Sequence, residues 1–301
     1  MNTARRNANL LLLLAAAIWG FAFVAQRVGM RHLGPLTFNG VRFALGALVL
    51  LPIMIRGLPG RPPGPPPSSV EWRRIWKAGL IAGTVLFCGA TLQQYGVVFT
   101  TAGKAGFITG LYVVFVPLLG LFLGQRANRH IWAGALLAAA GLYLLSARGI
   151  VGIDPGDGLV LISAVFWAVH VLLIGRWSGQ MPPVRLAVAQ FTVVAILSSV
   201  GAVIFEDIDL GAIRAAAVPI IYAGVFSVGV AYTLQVVAQR EAKPAHAALI
   251  LSAEAVFAAL GGWLILQEGL GVRALIGCAM MLGGIVLAQS ERRDEVVVDG
   301  G

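Results

Sequence analysis

The sequence predicts an all-α integral membrane protein in which ten transmembrane helices form two five-helix repeats of inverted topology around a central cavity. Three observations lead to this prediction: an apolar composition with few charges, ten apolar stretches of spanning length, and a duplication within the chain. The ten stretches and the short loops between them account for nearly the whole chain, so no soluble domain is expected.

The composition is typical of a polytopic membrane protein. The chain is 58% hydrophobic and 12% charged, with a mean hydropathy of +0.87, whereas soluble domains carry about 25% charged residues. About 20 apolar residues in a helix cross the hydrocarbon core of a bilayer. Ten stretches of roughly this length lie at residues 9–29, 35–55, 78–98, 107–124, 131–147, 157–176, 184–205, 215–238, 245–266 and 273–289.

The last third of the chain repeats the third to fifth apolar stretches of its first half. Phe115–Arg126 aligns with Phe257–Glu268, and Trp132–Leu145 with Ala274–Leu287, at an offset of about 142 residues. A duplicated unit with an odd number of spans inserts in two opposite orientations, which places a binding site between the repeats near the midplane. The first two spans of each unit align only weakly.

The predicted domains are a first five-helix repeat at residues 1–150, a second at 151–290, and a cytoplasmic tail at 291–301. Of the 22 Lys and Arg residues, fifteen lie at the span ends that share a side with the N-terminus and six at the opposite ends. Because Lys and Arg concentrate on the cytoplasmic side, both termini are predicted to be cytoplasmic in a bacterial inner (plasma) membrane. The net charge of +9 therefore indicates orientation and not a nucleic-acid partner.

The two cysteines and the longest connection point to no ligand. Cys88 and Cys278 lie inside predicted spans without metal-ligand spacing, so neither a metal site nor a cofactor is predicted. The proline-rich connection between Arg56 and Lys77 is expected to be an extended cytoplasmic linker.

Spans one and two, with the pairs Trp19-Gly20 and Arg42-Phe43, resemble the EamA-type branch of the drug/metabolite transporter superfamily. Glu254 in the middle of span nine and Glu268 at its exit resemble the second repeat of that family. The resemblance covers essentially the whole chain. It implies a central cavity, peripheral spans five and ten, and export or exchange of small metabolites. Within the branch, the chain looks most like the YddG-type aromatic amino-acid exporters.

Two departures from the family pattern stand out. Ala255 follows Glu254 where the family often has proline, and Gln125-Arg126 stands where an exit glutamate is common in the first repeat. The two repeats are therefore not chemically equivalent.

Two charged side chains lie within predicted spans and leave several roles open. A carboxylate at the position of Glu254 costs roughly 2.5–3.5 kcal/mol on insertion scales, so it should face the interior or a water-filled cavity. It is a proton site, an anchor for a substrate ammonium, a structural group satisfied by a neighbouring span, or a neutral protonated acid. Arg42 either binds a substrate carboxylate or pairs with a helix C-terminus or with an acid as a permanent structural bridge. The family resemblance favours the structural role, because it implies an arginine at this place of span two whatever the substrate.

Ten aromatic or polar side chains within spans are candidates for the cavity wall. They are Trp19, Thr91, Gln93, Gln94, Tyr95, Tyr112, Trp167, His170, Tyr232 and Gln235. His170 either relays protons or hydrogen-bonds a neighbour. Buried rings usually serve packing, but here they accompany amide and hydroxyl groups on spans that the resemblance places around the cavity. A cavity rich in rings and poor in charge suits zwitterions with apolar side chains.

The predicted function is transport of small metabolites, most of all amino acids including aromatic ones, by alternating access. Proton-coupled multidrug efflux is the alternative. A membrane-embedded lipid-modifying enzyme is disfavoured, since the spans lack acidic or histidine clusters and the chain lacks the Walker, G-x-S-x-G and H-E-x-x-H motifs. The expected partners are a small-molecule substrate and the lipid bilayer; the sequence leaves the oligomeric state open, with a monomer plausible.

Overall fold

A computed structural model of the chain describes residues 3–57, 67–146 and 155–290, and these residues are predominantly helical. We refer to residues 3–146 as the first half and to residues 155–290 as the second half. The helices of the first half are α1 Thr3–Gly29, α2 Pro35–Arg56, α3 Ser69–Val98, α4 Ala102–Gly110, α5 Tyr112–Phe122 and α6 Arg129–Ser146.

The second half begins with α7 Pro155–Trp177 and α8 Pro183–Phe205. It continues with α9 Leu210–Ala215, α10 Ala217–Ile221, a π-helical stretch Tyr222–Tyr232, α11 Thr233–Ala238, α12 Pro244–Leu251, α13 Glu254–Leu266 and α14 Val272–Ser290. Residues 58–66 of the predicted linker lie outside the described residues, as do the junction between the predicted repeats and the predicted tail. The prediction of an extended linker up to Lys77 is wrong for its last part, because α3 already begins at Ser69 with a capping box.

Eight helical segments of the described chain are long and apolar enough to cross a membrane: α1, α2, α3, α4–α5, α7, α8, α10–α11 and α12–α13. Helix α14 contains a shorter apolar stretch, Val272–Ala288. Large apolar side chains cover the outside of the bundle, and Phe122, Phe205 and Val218 are 88%, 76% and 79% exposed. Such a surface suits lipid and is unfavourable in water. The predicted all-α membrane fold is confirmed; the count of ten spans stays a prediction, with α6 and α14 at the fifth and tenth positions.

Local sequence explains where several helices begin. Ser68 and Glu71 form a capping box at the start of α3, in which each side chain satisfies a backbone N–H at the other residue. Prolines occupy the first position of α2, α8 and α12, where the missing N–H costs nothing because helix starts leave that donor unbonded.

The main packing contacts join the two halves. Helix α6 packs on α14, α2 on α8, α3 on both α7 and α8, and α1 on α13 and on the π-helical stretch. In the largest buried cluster, side chains from α1 and α5 contact side chains from α7, α12 and α13. The apolar core therefore lies between the halves and not within either of them.

Two spanning segments are interrupted near their middle. The α4–α5 segment breaks at Leu111 and the α12–α13 segment breaks after Leu251. Tyr112 and Glu254 are thus the first residues of the continuing helices, and they lie 142 residues apart in the chain. A third span contains the π-helical stretch Tyr222–Tyr232, a rare conformation that is frequent at functional sites. These irregular segments meet at the cavity described below.

Candidate functional site

A small cavity lies between the two halves, and nine of the twelve residues singled out from sequence line it. From the first half come Trp19, Arg42, Gln93 and Tyr112; from the second half come Trp167, His170, Tyr232, Gln235 and Glu254. The cavity volume is about 40 Å³, whereas one water molecule needs roughly 10–15 Å³. In this conformation the cavity has room for a few waters and not for an amino acid.

The aromatic side chains form one connected wall of the cavity. The ring centres of Trp19 and Tyr232 are 4.6 Å apart, and those of Trp167 and Tyr232 are 6.1 Å apart with nearly parallel planes. His170 meets Trp167 and Tyr232 edge-on. Aromatic contacts of this kind contribute free energy in addition to that gained by burying the rings, and they favour one relative arrangement of the rings.

Hydrogen bonds fix the two tryptophans at their polar edges. Trp19 Nε1 donates to the backbone carbonyl of Ser227, in the π-helical stretch, at 3.1 Å. Trp167 Nε1 donates to Gln93 Oε1 at 2.7 Å, and Gln93 Nε2 donates in turn to Gln26 Oε1 at 3.1 Å. Each bond joins the first half to the second or supports one that does, so the ring wall depends on both halves.

The two charged residues of the cavity come from opposite halves. Arg42 is 3% exposed and Glu254 is 4% exposed. Arg42 Nε donates to Asn39 Oδ1 at 3.0 Å, and its guanidinium lies 5.5 Å and 5.0 Å from the ring centres of Phe38 and Phe43. Within the described ranges, Arg42 makes no ion pair, so the bridge favoured from sequence finds no carboxylate there.

Several buried polar atoms of the cavity wall find no hydrogen-bond partner among the described residues. They are Thr109 Oγ1, Gln235 Oε1 and Glu254 Oε1. Tyr112 Oη also meets no strict hydrogen-bond geometry, but the Tyr112 hydroxyl and the Glu254 carboxyl interact with each other. Buried polar atoms in proteins are nearly always bonded, so these atoms are suited to bind whatever fills the cavity. His170 Nε2 already bonds Gln190 Oε1 at 2.8 Å, while its Nδ1 has no partner in the described part of the chain.

Three predicted candidates do not line the cavity: Thr91, Gln94 and Tyr95. All three lie on α3 beside Gln93, and successive residues of a helix point about 100° apart. Gln93 faces the cavity, so its neighbours in sequence face elsewhere. Gln94 is fully buried, and both polar atoms of its amide find no partner among the described residues.

Three polar residues of the wall were not singled out from the sequence: Gln26, Thr109 and Ser227. The spacing of Gln26 was informative, because it lies seven residues after Trp19 on α1 and this spacing returns a helix to the same face. Thr109 is separated from Tyr112 by the helix break at Leu111, which helical periodicity does not reveal. No group of three or more His, Cys, Asp or Glu side chains that could hold a metal ion occurs in the described residues.

Comparison with known proteins identifies the family. The EamA-like transporter family matches the chain twice, over residues 6–147 and 154–289. The chain belongs to the EamA-like transporter family. The chain is therefore a membrane transporter by family, with the cavity described above between the two matched stretches.

Relatives of this EamA-family chain carry related descriptions. An uncharacterized transporter of Archaeoglobus fulgidus is 32% identical over 284 residues, covering 94% of this chain and 86% of that protein. A Salmonella typhimurium protein described as a probable amino-acid metabolite efflux pump is 29% identical over 167 residues, 54% of this chain and 52% of that protein. A crystal structure with 20% identity covers 95% of this chain and 98% of its own, with a TM-score of 0.77, and shows the same fold.

The network around Gln93 yields a stability prediction. We expect Gln93→Leu to lower the free energy of unfolding by about 1–3 kcal/mol, because it leaves the buried donor of Trp167 and the acceptor of Gln26 without partners. The matched control is Gln94→Leu, on the same helix, which removes an amide without described partners and is expected to be neutral or stabilising. The measurement is the thermal unfolding of the purified variants in detergent; equal effects of the two changes would contradict the network.

Proposed function

We propose that this EamA-family protein transports amino acids, including aromatic ones, by alternating access, and that the central cavity is its substrate site. One observation carries the proposal. A buried guanidinium and a buried carboxyl, those of Arg42 and Glu254, line the same cavity as five Phe, Tyr or Trp side chains and do not pair with each other.

The two charges suit the two ends of a zwitterion. A guanidinium donates charge-assisted hydrogen bonds to a carboxylate, and these are roughly twice as strong as bonds between neutral groups. Arg42 donates from Nε to Asn39, and it lines the cavity without an ion pair to Glu254 or to any other described residue. Glu254, with an oxygen that no described residue bonds, is suited to accept from the substrate ammonium. In a low-dielectric interior both interactions are stronger than in water.

The ring wall suits an apolar or aromatic side chain. Trp19, Trp167 and Tyr232 offer flat surfaces whose polar edges are already bonded or lie toward the cavity. Aromatic pairs gain about 0.5–1.5 kcal/mol beyond burial of their area. The relative described as an amino-acid metabolite efflux pump supports the same substrate class and the export direction.

Alternating access follows from a proposed inverted repeat with units 1–150 and 151–290. Three observations support it: the family matches the chain twice, the two interrupted spans break at positions separated by the repeat offset, and the packing pairs join one half to the other. In transporters of this kind, broken helices surround a midplane site, and one unit rocks against the other. The excess of Lys and Arg at one set of ends supports cytoplasmic termini.

Rocking is needed because the cavity in this conformation is too small for a substrate. Sites for small molecules usually measure about 300–1,000 Å³, and this cavity measures about 40 Å³. Opening between the halves therefore has to enlarge the cavity as well as expose it.

Uptake by liposomes containing the purified protein tests the function. We expect labelled phenylalanine and tryptophan to enter down their gradient or by exchange, more readily than labelled threonine, since the wall is aromatic. Protein-free liposomes are the control. Movement of a cationic dye without any amino-acid signal would instead support proton-coupled multidrug efflux, for which the buried carboxylate of Glu254 is the favouring observation.

Arg42→Gln tests the carboxylate contact. We expect the apparent KM for phenylalanine to rise at least about tenfold, since losing a charged hydrogen bond costs about 1.5–3 kcal/mol and each 1.4 kcal/mol is a factor of ten. The matched control is Arg273→Gln, which also removes an arginine stacked on a ring, Tyr143, but outside the cavity. An unchanged KM in the Arg42 variant would rule out the contact.

Glu254→Gln tests whether one carboxyl binds both the coupling proton and the substrate ammonium. A buried carboxyl that holds either a proton or the substrate ammonium would couple the two, whereas an amide cannot take up the proton. We expect the variant to retain counterflow exchange with a raised KM and to lose any response to a pH gradient. Uptake that still follows the pH gradient in this variant would remove Glu254 from coupling.

A further inference from the structure

Two carboxylates of the second half bind the beginnings of two helices of the first half. Glu206, directly after α8, accepts hydrogen bonds from the backbone N–H groups of Leu36 and Thr37, both at 2.8 Å, and from Thr37 Oγ1 at 2.7 Å. These donors belong to the first turn of α2. A carboxylate at this place is favoured both by the free N–H groups and by the helix dipole.

Glu268, after the end of α13, makes the equivalent contact with α4. Its carboxylate accepts from the backbone N–H groups of Ala102 and Gly103 at 3.2 Å and 3.3 Å. We call Glu206 and Glu268 together the carboxylate latch. Both contacts span more than 160 residues of sequence, so each one joins the two halves.

Glycines make room for both carboxylates of the latch. A Cβ atom on Gly34 would collide with the carboxylate of Glu206, and one on Gly262 would collide with that of Glu268. The backbone approaches the acid closely only because these residues have no side chain. Each contact therefore requires both the glutamate and the glycine beside it.

The latch occupies one end of the bundle. Helices α2 and α4 begin there, and α8 and α13 end there. A third acid of the second half, Asp157, lies at the same end, where it pairs with Lys104 at 2.6 Å and accepts from Thr100 Oγ1 at 3.1 Å.

At the opposite end of the bundle, the described residues show no counterpart of the contact between Glu268 and α4. At the repeat offset, Arg126 takes the place of Glu268 and Pro244 takes the place of Ala102, so a cation faces a residue without an N–H group. Both residues line a cavity of about 380 Å³. A hydrogen bond of 3.0 Å between His246 Nε2 and Asn9 Oδ1 joins the two halves beside this cavity.

The two helices held by the latch, α2 and α4, each carry a first-half residue that lines the central cavity. Arg42 lies on α2, less than two turns after Thr37, and Thr109 lies on α4, about two turns after Ala102. We infer that Glu206 and Glu268 are positioning residues that hold the two halves together between the central cavity and the latch end of the bundle. When their carboxylates leave the beginnings of α2 and α4, the cavity opens toward the latch end. The transport role of this closure rests on the proposed function, but the closure itself is measurable without substrate.

Sided labelling of a single cysteine tests the inference. The parent carries Cys88→Ser, Cys278→Ser and Thr109→Cys, which leaves one thiol in the wall of the cavity. A membrane-impermeant methanethiosulfonate is added to sealed vesicles of either orientation. With Glu206→Gln and Glu268→Gln together, we expect labelling from the latch end to be at least about tenfold faster, because two sets of charged hydrogen bonds are weakened, and labelling from the opposite end not to accelerate.

Asp209→Asn is the matched control. Asp209 lies at the same end and caps a helix start, but it accepts from Gly211 and Ala212 of its own helix α9. We expect this variant to label at the parent rate. The inference is overturned if the latch variant is labelled at the parent rate. It is also overturned if labelling accelerates equally from both ends, which a general loosening of the protein would cause.

Gly34→Ala provides a second variant with all charges intact. Its methyl group displaces the Glu206 carboxylate from α2, so we expect faster labelling from the latch end only. Spin labels at Arg31 and Gly271, one in each half at the latch end, should show a longer distance in pulsed electron paramagnetic resonance, and an unchanged distance contradicts the latch. Neither measurement uses a substrate, so a protein that opens as expected but transports no amino acid refutes the proposed function and leaves the latch standing.

Discussion

A cation and an acid buried in one apolar bundle, without direct ion-pair partners among the described residues, form the constraint on which the other features depend. Placing a charged side chain at the bilayer centre costs at least about 2.5–3.5 kcal/mol, so a protein retains it where water or a ligand reaches it. Arg42 and Glu254 both face the cavity between the halves. Hydrogen bonds hold Trp19 and Trp167 in place around these two residues, so apolar side chains do not simply fill the cavity.

Broken helices provide the polar surroundings that such charges need. An interrupted span leaves backbone groups free near the middle of the bundle, where lipid would otherwise forbid them. Tyr112 and Glu254 start the second helix of the two interrupted spans, and the π-helical stretch offers the carbonyl of Ser227 to Trp19. The two interrupted spans thus share one kind of backbone irregularity but differ in chemistry, since a phenol follows the first break and a carboxyl follows the second.

The sequence predicted the membrane class and most of the cavity wall because both depend on local features. Composition and apolar length determine the class, and a polar or aromatic residue in mid-span rarely faces lipid. Thr91, Gln94 and Tyr95 do not line the cavity, because the orientation of a polar cluster on α3 depends on which neighbour packs against it, and the sequence does not give that neighbour. Glu206 was not singled out at all: its partners lie some 170 residues away, and no local pattern reveals a helix start in the opposite half.

The central claim is that the cavity between the halves binds an amino acid with its ring against the aromatic wall. A crystal structure with 4-iodophenylalanine measures this directly through the anomalous signal of iodine. The account predicts one strong iodine peak beside Trp19, Trp167 and Tyr232, in a cavity enlarged beyond its present volume of about 40 Å³. A peak in the larger cavity beside Arg126 and Lys243, with none at the ring wall, would contradict it.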